Sequence, residues 1–245
     1  MTPLTSSTTN IVLAEKQRNS RPSPFVTINL YSGRDLLEQP VLPELREVIN
    51  ASYRDHITKN KNVDRLQADT QIVDEIGDSG FTAVAMTLTE IVGTASVKPW
   101  VPNSEGIIWK PSGYYEGKSA EEAILMHSSS LSSHTSSAGA DSCKGDFEIF
   151  LVAVKPGVEY RKRGIAESLV KVCEDELKRR FEACAGQNLE KSSLRIMLKV
   201  VSEINGSYWL KKGFRVVGEC WCPPFTWDLE KAFILWAMRR DMSIY

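Results

Sequence analysis

The stretch Arg161-Lys162-Arg163-Gly164-Ile165-Ala166 sets three consecutive cations directly before a helix. The helix is read from its apolar spacing, since Ile165, Leu169, Val172 or Cys173, and Leu177 fall on one face. Cations ordinarily suit a helix C-terminus, where they complement the dipole, so a basic run at the start calls for an anion. A helix start leaves backbone N–H groups unpaired, and those groups together with the dipole form an anion site. Gly164 lets a ligand approach the backbone closely, and Ala166 keeps the next approach nearly as open. The residues describe a polyphosphate cradle. On the loop alone, a solvated basic turn before an ordinary amphipathic helix is an equal reading.

The elements that must position this loop are legible around it. "FEIFLVAVKP" precedes it and is the most apolar strand of the chain, and "SLRIMLKVV" follows the helix as another strand. Strand, glycine-containing turn, helix and strand make a crossover unit. Upstream, "FVTINLY" alternates as a strand, "LPELREVINASYRDHI" has a helical apolar face, and "VDRLQADTQIVDEIG" reads as a second helix ended by Gly77. "FTAVAMTL" and "EIVGTASVKP" read as paired strands. Downstream, "SEINGSYWLKK" reads as a short helix, "GFRVVGECW" as a strand, and "KAFILWAMRR" as a last strand, with helix as the alternative. Residues 1–24 are polar and read as a flexible arm. Residues 101–145 read as a partly disordered insertion, in which "SAEEAILM" has the pattern of a short helix and "SSSLSSHTSSAGADS" is of low complexity. Residues 25–245 are expected to form one domain.

Arg161-x-x-Gly164-x-Ala166 resembles the Arg/Gln-x-x-Gly-x-Gly/Ala signature of the Gcn5-related N-acetyltransferase (GNAT) superfamily, here following "IFLVAV" as in that family. "WLKKGF", from Trp209 to Phe214, is similar to the family's Tyr-x-x-x-Gly-Phe element, and the resemblance runs from Phe25 to Met242 outside the insertion. It implies an α+β fold with a mixed, mainly antiparallel twisted sheet flanked by helices, and acetyl-CoA as co-substrate. It also implies that Leu151, Val152, Ala153 and Val154 pair with the pantetheine, and that Arg161, Lys162, Arg163, Gly164, Ile165 and Ala166 hold the pyrophosphate. Asn205 and Trp209 would contact the coenzyme, and Tyr53, Trp221, Phe225 and Trp227 would wall the acceptor pocket. Two departures stand out. The loop Arg comes five residues after Pro156 where the family has three. The family's tyrosine, its general acid toward the thiolate, falls on Trp209; an indole cannot serve, and Tyr208 is the adjacent candidate. Glu148 matches the catalytic Glu of protein-acetylating members and shares strand parity with Val152 and Val154. A plain strand-end Glu beside the insertion is the alternative.

Bulk properties narrow the class. The chain has 245 residues with a net charge of -1, which lacks the broad basic footprint of a nucleic-acid binder. No apolar run reaches membrane-spanning length. Five cysteines without a signal-peptide pattern suggest free thiols in a reducing, cytoplasmic compartment. The three histidines show no ligand spacing, Cys220-x-Cys222 reads as strand packing, and no metal is expected. "CEDELKRR" reads as a solvated helix face with three i,i+4 pairs, Glu174–Lys178, Asp175–Arg179 and Glu176–Arg180. The expected activity is acetyl transfer from acetyl-CoA to a primary amine of a small molecule, by direct attack in a ternary complex. Protein lysine or N-terminal acetylation and a non-catalytic CoA-binding domain are the alternatives.

Overall fold

A computed structural model describes residues 8–9, 26–56, 64–102, 107–130, 145–185 and 194–243. Their elements form a mixed, mainly antiparallel open sheet with helices. The chain divides into two compact units, residues 1–99 with 149–189 and residues 100–148 with 190–245. No helix among the described residues is long and apolar enough to cross a membrane.

In the first unit, β1 (Thr8–Thr9), β2 (Thr27–Ser32), β3 (Phe81–Met86) and β4 (Ile91–Pro99) pair antiparallel in that order. Within residues 1–24, Thr8–Thr9 pairs with Ile28 and Asn29 of β2. The edge of β2 offers unpaired backbone groups, and this dipeptide takes them. A helix not foreseen, α1 (Gly33–Leu37), starts at Ser32. Its hydroxyl accepts from Asp35 N, while the Asp35 carboxylate accepts from Ser32 N, a capping box too short to show as periodicity.

α2 (Leu42–His56) buries Leu45, Val48 and Ile49. The expected second helix shrinks to α3 (Gln71–Ile76), ended at Gly77. The cause is Asn50, fully buried on α2, which donates to Leu66 O at 2.9 Å and accepts from Leu66 N at 2.8 Å. That backbone is therefore bonded to a side chain and not to a helical turn.

The long α5 (Ile165–Ala185) packs on β3 and β4. Gly93 permits the approach: a Cβ there would meet Ala153 O at 2.9 Å and Leu169 Cδ1 at 3.1 Å. Of the ion pairs expected on α5, Glu176–Arg180 forms, and two others that were not expected join it. Glu176 is buried and takes both Arg179 and Arg180 at 2.7 Å, and Lys171 pairs with Asp175. Glu176 lies on the packed side of the helix, so it is not part of a solvated face.

The second unit orders its strands as the start of β5 (Asp146–Val154), β6 (Leu194–Val201), β8 (Phe233–Met242) and β7 (Arg215–Cys222). β5 and β6 are parallel, the rest antiparallel, and the last element is a strand. Part of the expected insertion is built into this unit. Trp109 and Tyr115 are buried, Lys110 and Glu219 exchange backbone hydrogen bonds at 2.8 Å, and the Glu219 carboxylate accepts from Gly113 N and Tyr115 N. α4 (Ala120–Ser130) follows, and residues 131–144, with most of the Ser-rich segment, lie outside the described residues. Cys220 and Cys222 are buried in one cluster with Trp100, Trp109 and Leu235, as packing requires. The expected short helix splits into a π-helical turn, Ser202–Gly206, and α6 (Ser207–Lys211). Gly206 lies so close to Trp236 that a Cβ would meet its ring at 2.5 Å.

Candidate functional site

In the first unit, β5 reaches the basic loop through a distorted stretch. Leu151 is buried yet adopts φ 49, a left-handed conformation that costs a non-glycine residue roughly 1–2 kcal/mol. Lys155 N donates to Val92 O and Trp100 N donates to Asp146 O, so β5 carries one residue more than β4 between these bonds. This is a bulge, which takes backbone groups out of the ladder and re-aims the strand. Its effect reaches the side chains. Asp146 and Glu148 are buried, then Ile149, Leu151 and Ala153, so the alternation changes phase between Glu148 and Ile149. Glu148 is buried, whereas Val152 and Val154 are half-buried.

The loop from Lys155 to Gly164 is folded by its own bonds. Tyr160 N and Arg161 N donate to Gly157 O at 3.3 and 3.0 Å. Lys162 has φ 58 and Gly164 φ 79, and α5 begins with Ser168 N bonded to Gly164 O at 2.9 Å. A Cβ built at Gly164 would meet nothing within 4 Å, so space lies open beside the helix start. Ile165 is buried and Ala166 half-buried, while Arg161 and Lys162 are exposed and Arg163 half-buried. These residues form a cationic turn with N–H groups and open space at one helix N-terminus, a donor set that fits a diphosphate.

Four side chains around this loop carry no signal of their own in the sequence. Glu90 accepts from both Tyr160 Oη and Lys155 Nζ. Lys155, and after it Tyr160, hold its carboxyl below the usual carboxylate range, and bonding to Glu90 pushes the buried Tyr160 phenol up to about 12. Asp55, on the last turn of α2, pairs with Arg161. The widened spacing between Pro156 and Arg161 is the one hint in the sequence that this loop needs an anchor. Tyr53, also on α2, is half-buried and packs against the core that holds Leu45 and Ile49.

The other named residues lie in the second unit. Glu148 is 4% exposed, with Lys199 Nζ at 3.8 Å. Lys199 also lies over the Trp100 ring at 5.4 Å. Trp209 is buried, edge-on to Phe214 at 5.4 Å, and Tyr208 is exposed. The two neighbours thus occupy different faces of α6, as the helical repeat requires. Asn205 is exposed on the π-helical turn. Trp221 is core, buried beside Tyr115 and Ala123. Phe225, at φ 67 and 77% exposed, and Trp227, at φ 52 and 46% exposed, form a strained aromatic turn, with Trp227 5.7 Å from the Phe233 ring. Among the described residues, no group of three or more His, Cys, Asp and Glu could hold a metal ion.

No protein-family model matches the chain, and no curated protein matches its sequence. Solved structures do. A GNAT-family acetyltransferase from Streptococcus pneumoniae is 12% identical over 89% of this chain and 99% of that one, with a TM-score of 0.51. The ribosomal-protein-S18-alanine N-acetyltransferase from Escherichia coli is 12% identical over 89% and 94%, with a TM-score of 0.51. A Salmonella typhimurium protein, described as an acetyltransferase and solved with its cofactor acetyl-CoA, is 14% identical over 90% and 95%, with a TM-score of 0.50. The chain has the fold of the GNAT-family acetyltransferases.

Proposed function

We propose that this chain transfers an acetyl group from acetyl-CoA to the primary amine of a small molecule. The observation that carries the reading is the sequence of features along the first unit: a buried left-handed residue, Leu151, then a cationic loop, then open space at Gly164 where α5 begins. Backbone strain of this kind persists where the surrounding structure over-determines it, and it collects at working sites. In this reading Leu151 to Val154 offer backbone groups to the pantetheine amides. The N–H groups at Gly164 to Ala166, with Arg161, Lys162 and Arg163, take the diphosphate. Acetyl-CoA supplies an activated acyl carbon. A neutral amine forms the new C–N bond there, the C–S bond breaks, and the thiolate leaves with a proton.

Holding amine and thioester together accounts for most of the acceleration, since orientation is worth about 7–11 kcal/mol in well-placed pairs. Tyr208, exposed beside the buried Trp209, is the candidate proton donor to the thiolate. Phe225 and Trp227 supply exposed aromatic surface for an acceptor.

The test is acetyl-CoA consumption across small amines, polyamines, aminoglycosides and peptides. Turnover on a small amine is expected. Turnover on peptides alone would move the reading to protein acetylation, and tight coenzyme binding with no turnover would move it to a binding domain. Failure to bind coenzyme A at all would overturn it.

A further inference from the structure

We propose that Glu90 is a positioning residue for coenzyme binding, fixing the widened loop through Tyr160 and Lys155; the proposal rests on the acyltransferase reading. Glu90 closes the β3–β4 connection and is itself held there: Thr87 N donates to Glu90 O at 2.9 Å, and Glu90 N donates to Thr87 Oγ1 at 3.2 Å. Its carboxylate accepts from Tyr160 Oη and Lys155 Nζ. These two donors bracket the extra residues of the loop. Lys155 is fixed to the sheet by its N–H to Val92 O at 2.9 Å, and Tyr160, 8% exposed, immediately precedes Arg161.

A longer loop has more conformations to lose before its N–H groups converge on an anion. The carboxylate removes that freedom at both ends of the extension. It does so without leaving a bare negative charge beside an anion site, because the Lys155 ammonium offsets it. Glu90 is 65 and 70 residues from its two partners in sequence, so the clamp joins a hairpin end to a loop.

The experiment compares Glu90→Gln, Tyr160→Phe and the double variant with the parent. It measures the Kd of coenzyme A by titration calorimetry, KM and kcat for acetyl-CoA, and folding by circular dichroism. Each single change is expected to raise Kd and KM about tenfold, the scale of one hydrogen bond to a charged group. The rate constant kcat at saturation is expected to stay within about twofold, because Glu90 and Tyr160 touch no reacting atom. The double variant is expected to be no worse than Glu90→Gln alone, since the Tyr160 contact is one of the two through which Glu90 acts. A purely structural role would instead lower the melting temperature and the active fraction while leaving KM alone. A folded Tyr160→Phe variant with the parent's Kd would overturn the proposal, as would additive effects. A parent that binds no coenzyme A would overturn the acyltransferase reading and the proposal with it.

Discussion

The two halves of β5 are one strand in sequence and two different materials in structure. The first half, in the second unit, is charged and buried. Asp146 accepts from Arg195 Nε and Nη2, both at 2.6 Å, and Glu148 lies by Lys199. The second half, Ile149 to Val154 in the first unit, carries apolar side chains, and its irregularity is in the backbone, at Leu151. Buried charges that already hold partners are poor acids and bases, because freeing them leaves a partner unpaired in a dry place. A bulged backbone is the opposite: it holds polar groups ready for something outside the ladder. Under the proposed function, the first half holds the sheet together and the second half holds the ligand.

Breaking the charged half should cost most. Asp146→Asn leaves the Arg195 guanidinium without its bidentate acceptor, and about 3 kcal/mol or more of stability should be lost in denaturant titration. Coenzyme affinity of the folded fraction should not change. If affinity falls and stability does not, the division between the two halves is wrong.

A smaller effect is expected at Glu148. Glu148→Gln should lose about 1–3 kcal/mol, because Lys199 remains buried beside a neutral amide. The acidic limb of the pH–rate profile should survive. Removing Lys199 as well, in Glu148→Gln with Lys199→Met, should recover much of the loss. Disappearance of the acidic limb at unchanged stability would reassign Glu148 as the general base.

The smallest effect sharpens the ligand half. Asp55 pairs with Arg161, and an anion taking that guanidinium competes with it. Both side chains are about two-fifths exposed, so the pair is weak and screened. Asp55→Asn should tighten coenzyme A binding about two- to threefold at low salt, and the gain should vanish at high salt. Weaker binding in Asp55→Asn would mean that Asp55 orients Arg161 for the ligand and does not compete with it.

The elements around the loop were legible because their periodicity is strong. The apolar run of β5, the stripe of α5 and the glycine between them appear in sequence as they do in space. What escaped depends on single side chains acting across long separations. Asn50 unmakes the first turns of the expected second helix from sixteen residues away. Glu90 reaches a loop that no local pattern links to it. The bulge at Leu151 leaves no mark on composition, since a leucine there reads as ordinary strand. Trp221 and Phe225 look alike as aromatic residues near the last strand, yet burial beside Tyr115 makes one core, while a left-handed backbone leaves the other exposed.

The central claim is that the bulged half of β5, the basic loop and the start of α5 together bind coenzyme A. Hydrogen–deuterium exchange with and without saturating coenzyme A tests it most directly. The account predicts slowed exchange in the amides from Leu151 to Val154 and from Lys162 to Ala166, and no such slowing from Asp146 to Glu148. Saturating coenzyme A that leaves 151–154 and 162–166 exchanging as in the free protein would contradict it.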